Sequence, residues 1–161
     1  MPLITILGID PALTTTGWGI IESQGSAIKY IASGTIKTKA TETLAFRLAF
    51  IANEIEKIII KFKPNITGLE EIFINVNAVS SIKLAHARGA IISVIGKHNI
   101  ELTEFAPNKI KKTIVGVGKA EKEQVMYMIN MIMPTAKITQ LDEADALAAA
   151  YCCSVNYTRL Q

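Results

Sequence analysis

Four carboxylates stand where a folded chain could use them together. Asp10 closes the short apolar run 3–10 just before Pro11, and Glu70 falls near the end of a second such run, 66–73. Asp142 and Asp145 are three apart at the start of a last, alanine-rich helix, so their side chains share a face while Glu143 points elsewhere. Acids that end strands of an α/β sheet lie at one edge, where such folds bind their ligands. The helix dipole alone accounts for acids at positions 142 and 143. It accounts poorly for Asp145, which is followed by Ala146-Leu147-Ala148-Ala149-Ala150 and has no Arg close in sequence to pair with.

If these acids converge, their charges repel and a cation must neutralise them. Oxygen ligands without His or Cys select Mg²⁺ or Mn²⁺ over Zn²⁺. A carboxylate cluster holding such ions is a device for in-line attack of water on a phosphodiester. The nucleic-acid reading gains from a basic stretch: Lys109, Lys111, Lys112, Lys119 and Lys122 face one acid, Glu121. A lysine run is commonly just a solvated face, whereas beside an acid cluster it forms a phosphate-binding patch.

The elements that must position these residues follow from periodicity. Residues 3–10, 17–22 and 28–36 read as strands, the last two joined at Ser23-Gln24-Gly25-Ser26 as a hairpin. From 43 to 62 the period becomes helical, with Leu44, Leu48, Ile51, Ile55, Ile58 and Ile59 on one stripe and Pro64 as the stop. Residues 66–73 form a fourth strand, a helix capped by Asn77 or Ser80 runs to about Gly96, and 100–105 is a fifth strand closed by Pro107. A short basic helix around Ile110, a Met-rich helix over 122–133 and a final helix over about 141–154 complete the order. Strands separated by helices usually pair in parallel, so the fold class is α/β, a mixed five-stranded sheet with helices on both faces. No linker or repeat divides the chain, and one domain over 1–161 is expected.

Composition agrees. Half of the 161 residues are apolar, aromatics are few, and the net charge is +3. The adjacent cysteines, Cys152 and Cys153, match neither a disulfide nor a zinc spacing and read as small apolar helix residues. The start of the chain lacks the pattern of a signal peptide, and apolar runs such as 146–153 are too short for a bilayer, so a cytoplasmic protein without a membrane segment is expected.

Five blocks then resemble the RuvC family of Holliday junction resolvases, in family order and spacing. They are Ile6-Leu7-Gly8-Ile9-Asp10-Pro11 through Thr16-Gly17-Trp18-Gly19; Leu69-Glu70-Glu71-Ile72-Phe73; Lys83-Leu84 with Ala87-Arg88-Gly89; Lys111 through Val115-Gly116-Val117-Gly118 to Ala120-Glu121-Lys122; and Asp142-Glu143-Ala144-Asp145-Ala146-Leu147-Ala148. The resemblance implies an RNase H-like fold and a homodimeric endonuclease that resolves four-way DNA junctions by paired, symmetrical cuts in recombination and repair, in concert with a branch-migration motor complex. It implies Asp10, Glu70, Asp142 and Asp145 as ligands of Mg²⁺, with Mn²⁺ as substitute, and Lys122 and Lys111 beside the scissile phosphate. Lys112, Lys119 and Arg88 join the DNA contacts, and Phe73 is the aromatic that stacks on junction bases, although a place in the core is an equally good reading of that residue. Glu71, turned away by strand alternation, is not a ligand. Ala12, Val76 and Ala85-His86 depart from the family's usual Gly, Lys and Gly-Gln. At Ala12 the backbone must avoid a positive φ.

Other readings fit less well. An actin-like ATPase needs a second lobe, and Gly118-Lys119-Ala120 lacks the hydroxyl and the earlier glycine of a P-loop. A junction-binding module without catalysis would not need the acids. The enzymatic alternative is an RNase H-like nuclease that processes RNA, which shares only the first block.

Overall fold

The computed structural model describes residues 1–72 and 77–160, with only the backbone of 158–160. Strands β1 (Ile4–Asp10), β2 (Thr15–Gln24) and β3 (Ala27–Lys37) come first, then helix α1 (Leu44–Phe62), β4 (Ile66–Glu70), α2 (Ala78–Lys97) and β5 (Glu101–Phe105). Helices α3 (Pro107–Val115), α4 (Lys122–Ile132) and α5 (Leu141–Leu160) follow. The sheet order is β3-β2-β1-β4-β5, antiparallel across β1–β2 and β2–β3 and parallel across β1–β4 and β4–β5. This is the mixed five-stranded sheet expected from the alternation of strands and helices.

Period-two alternation divides the core between the two faces. Ile4, Ile6, Ile21 and Ile66 meet α3, α4 and α5, whereas Leu7, Ile9, Ile20 and Leu69 meet α1 and α2. Helices therefore cover both faces. Helix α1 starts where the Thr43 side chain accepts from the Phe46 N–H at 3.3 Å, and it ends at Lys63 in a left-handed conformation (φ 48°), one residue before Pro64. Asn77, rather than Ser80, caps α2, accepting from the Ser80 N–H at 3.2 Å.

Three expectations change. Strand β4 stops at Glu70, short of the expected end at 73; among the described residues that follow it, the Glu71 N–H still reaches β5, donating to the Phe105 carbonyl at 2.8 Å. Helix α5 continues to Leu160, past 154, since no Gly or Pro interrupts it. Helix α2 is also long and apolar enough, by length and composition, to cross a bilayer, with its apolar residues interleaved with polar ones so that no short run betrays it. It is nevertheless built into the fold, with Ala87, Ile91, Val94 and Ile95 packed in the core under α1. Ala12 avoids the positive φ region, and Thr16 Oγ1 holds it, donating to the Ala12 carbonyl at 2.6 Å.

Candidate active site

Asp10 and Glu70 end neighbouring parallel strands, one residue beyond the pair Ile9–Leu69. By alternation both side chains leave the sheet on the face that carries α5. That helix lies unusually close. A Cβ added at Gly8 would sit 2.0 Å from the Ala146 carbonyl oxygen, and one added at Gly17 would sit 2.0 Å from that of Asp142. Gly68 repeats the approach on β4, 2.7 Å from the Ala149 oxygen. Gly17 is also the residue paired with Asp10 across β1–β2. The first turn of α5 thus rests on bare backbone beside Asp10, and the buried alanines Ala144, Ala146, Ala148, Ala149 and Ala150 complete the fit.

This seating brings Asp142 and Asp145 to the strand-end acids. Burial, followed by the nearby charges of Glu70 and Asp145, holds the Asp10 carboxyl well above the usual carboxylate range. Burial also raises Glu70, with the charge of Asp145 adding to the effect. Asp145 is raised by burial too, against the pull of the Lys122 ammonium, which lies 2.8 Å from its Oδ2. The hydrogen bond to Asp145 in turn raises Lys122. So the partner that Asp145 lacks among its sequence neighbours arrives from the start of α4. Glu143 is turned away, its carboxylate accepting from Ser33 Oγ at 3.3 Å.

An open cleft of about 270 Å³ borders the acids, lined by Asp10, Pro11, Glu70, Glu71, Leu84, Arg88, Pro107 and Lys122. A smaller hollow of about 100 Å³ adjoins it across Glu70, Pro107 and Lys122 and reaches Lys111 and Asp145. Lys111 is close enough for its charge to pull on both Glu70 and Asp145. Lys109, Lys112 and Lys119 are exposed on the same α3–α4 segment. The one acid there, Glu121, is taken up in capping α4, its N–H donating to Gln124 Oε1 at 2.8 Å. Glu71 is exposed, and Phe73 and Val76 lie outside the described residues.

Arg88, expected as a DNA contact, lines the open cleft with its guanidinium already engaged by the protein. It is 7% exposed, and its guanidinium donates to the Glu70 carbonyl and to the Glu104 carboxylate. Its two acceptors hold it in the wall of the cleft that Lys122 also lines. Glu104 was not among the expected site residues; in a strand that also carries Glu101 and Thr103, nothing in the local sequence singles it out.

The donor set is oxygen only, which fits a hard divalent ion. The raised carboxyl groups have the character of a site that binds either protons or a cation. Among the described residues, no three acidic, His or Cys side chains already close on one point at coordination spacing. The chain has instead placed the ammonium of Lys122 against the cluster.

Comparisons with known proteins agree on one family. The model of the family described as "Crossover junction endodeoxyribonuclease RuvC" matches residues 6–153. A protein of that name from Rickettsia massiliae is 50% identical over 151 residues, which is 93% of this chain and 96% of the relative. Its namesake from Rickettsia typhi is 52% identical over 147 residues, 91% and 94% of the two chains. In fold, the chain resembles T. thermophilus RuvC in complex with Holliday junction substrate, with a TM-score of 0.90 at 24% identity over 97% of this chain and 96% of that one. The RNA-processing alternative gains nothing from these matches.

Proposed function

The chain belongs to the crossover junction endodeoxyribonuclease RuvC family, and from that premise we propose that it resolves four-way DNA junctions by paired, metal-dependent cuts in recombination and repair. The observation that carries the proposal is the cluster of Asp10, Glu70, Asp142 and Asp145 on one edge of the sheet, with Lys122 against it and an open cleft alongside. Asp10, Glu70, Asp142 and Asp145 would hold Mg²⁺ or, in its place, Mn²⁺. The bound ion supplies charge neutralisation and activation of water for in-line attack. The chain's own part is to fix that arrangement. Gly8 and Gly17 seat α5, the strand ends aim Asp10 and Glu70, and the ammonium groups of Lys122 and Lys111 stand where charge develops on the phosphate. Lys112 and Lys119 extend the positive surface along the DNA backbone, and Phe73 meets the junction's bases.

A four-way junction offers two equivalent phosphates, whereas one chain carries one acid cluster. Two copies related by a two-fold axis match it. Helix α2 has the surface for such an interface. Val79 is 62% exposed and Ile82 56%, and both line a groove of about 280 Å³ with Leu13, Leu44, Arg47, Lys83 and His86. The protein works in the cytoplasm as one nuclease domain over residues 1–161, and a branch-migration motor complex presents the junction to it.

The test is incubation of the protein with a synthetic four-way junction, the matched linear duplex and an RNA–DNA hybrid, with Mg²⁺ and with EDTA. Symmetrical nicks confined to the junction and abolished by EDTA are the expected result. Equal cutting of the linear duplex, or preference for the hybrid, overturns it.

A further inference from the structure

One peptide group in the site is held at both of its polar atoms. The amide between Glu70 and Glu71 has its N–H on the Phe105 carbonyl of β5 at 2.8 Å, and its C=O accepts from Arg88 Nη1. Arg88 Nη2 meets the Glu104 carboxylate at the same time. Glu104 lies opposite Leu69 in the β4–β5 ladder, so the ring of contacts closes through α2, β4 and β5. Here β4 leaves the sheet, and the plane of this peptide sets the direction in which the Glu70 side chain departs.

Arg88 suits this place by its chemistry. Its planar fork reaches two acceptors in fixed directions, which a lysine ammonium does not. At 7% exposure the guanidinium needs both partners to offset its lost hydration. An arginine meant to grip phosphate would be expected to keep its donors toward solvent, as the exposed Lys109 and Lys112 of α3 do.

We propose that Arg88, braced by Glu104, is a positioning residue for Glu70. It locks the Glu70–Glu71 peptide and so sets where the Glu70 carboxylate stands, without itself binding DNA. The inference rests on the reading of Glu70 as a metal ligand. Outer partners of ligating carboxylates typically contribute 10–100-fold to metal affinity, about the size of effect to look for here.

The test uses Arg88→Gln, Arg88→Lys, Glu104→Gln and Glu70→Gln in the full chain. Mn²⁺ binding without DNA is followed by calorimetry, junction affinity in EDTA by gel shift, and cleavage of the bound junction against Mg²⁺ concentration. Arg88→Gln should weaken Mn²⁺ binding about 10–100-fold and raise the Mg²⁺ needed for cleavage, with junction affinity in EDTA unchanged. Arg88→Lys should restore only part of the loss. Glu104→Gln, whose carboxylate is partly exposed, should fold normally and shift Mn²⁺ binding in the same direction by less. It keeps the proposal open to refutation even if the Arg88 variants fail to fold. Once Glu70 is Gln, the Arg88 change should add little, because the ligand it positions is gone. Loss of junction affinity in EDTA with Mn²⁺ binding intact would make Arg88 a phosphate anchor and overturn the inference. Weaker Mn²⁺ binding in Glu70→Gln but not in Arg88→Gln or Glu104→Gln overturns it while sparing the metal reading. Wild-type Mn²⁺ affinity in Glu70→Gln overturns both.

Discussion

The two faces of the sheet are covered by helices in different ways. On one, α5 touches strand backbone directly at Gly8, Gly17 and Gly68, so its distance and register are set by contacts between main chains. On the other, α1 and α2 stand off on isoleucine side chains, among them Ile51, Ile55, Ile91 and Ile95, which can repack when disturbed. The first face carries the acids. The second leaves apolar residues on its outside, including Phe46, Val79 and Ile82. Groups that must share a small volume are mounted on the stiff contact, and the softer layer is free to present a surface to a partner.

The largest expected effect lies on the stiff face. Asp10→Asn and Glu70→Gln should each bring junction cleavage to background while gel shifts show binding retained. Glu71→Gln, one residue along and outside the cluster, should cleave much as the wild type does. A sensitive Glu71 and a tolerant Glu70 would mean that the strand end is rotated from the orientation described.

A direct comparison of the faces comes next. In Gly17→Ala the new methyl meets the Asp142 carbonyl, so the first turn of α5 must lift. Overpacking of this kind costs about 1–3 kcal/mol, and here it should reduce cleavage by more than the loss of stability explains. Ile51→Val, across the sheet, should cost about 0.5–1.5 kcal/mol and leave cleavage of the folded protein unchanged. Denaturant melts paired with single-turnover rates separate the two, and equal effects on rate would erase the proposed contrast. On the outside of the soft layer, Ile82→Asp should give a monomeric mass by light scattering with little change in melting temperature, since that side chain is 56% exposed within one chain.

Periodicity and the stops at Pro11, Pro64 and Pro107 made the order of strands and helices legible in the sequence, as were the acids at strand and helix ends. Their grouping was harder to read. Gly8, Gly17 and Gly68 are glycines inside strands, and their use appears only when a helix from the far end of the chain lies across them. Lys122 as partner of Asp145 spans 23 residues and two helices. Arg88 passed for one more basic residue because its acceptors, a backbone carbonyl and an acid on β5, come from strands that only the parallel crossovers bring to it.

The smallest expected effect tests whether the acid cluster is strained without its cation. Burial and neighbouring carboxylates raise Asp10, Glu70 and Asp145 above their ordinary values. A carboxyl raised in the folded state holds protons there that the unfolded chain has already released. The metal-free protein should therefore lose stability as pH climbs from the ordinary carboxylate range through the raised values, and level off above them. Lys122 is raised as well, but its contribution is fully present below the usual lysine range and fades only at higher pH, outside this window. Glu56, held low by His98 and then Lys97, has the opposite sign and is common to wild type and mutant. Asp10→Asn removes the most strongly raised acid and relieves Glu70. In EDTA near neutral pH it should melt about 2–4 °C higher than wild type, the effect of ~1 kcal/mol in a chain of this size. The gap should narrow toward pH 4, where wild-type Asp10 is protonated and resembles the amide. Saturating Mg²⁺ should reverse the order, because only the wild type retains the full set of ligands for the ion that offsets the repulsion. A mutant less stable than wild type in EDTA across the whole range would show that Asp10 holds the fold together, and that its repulsion with Glu70 and Asp145 is already relieved within the protein.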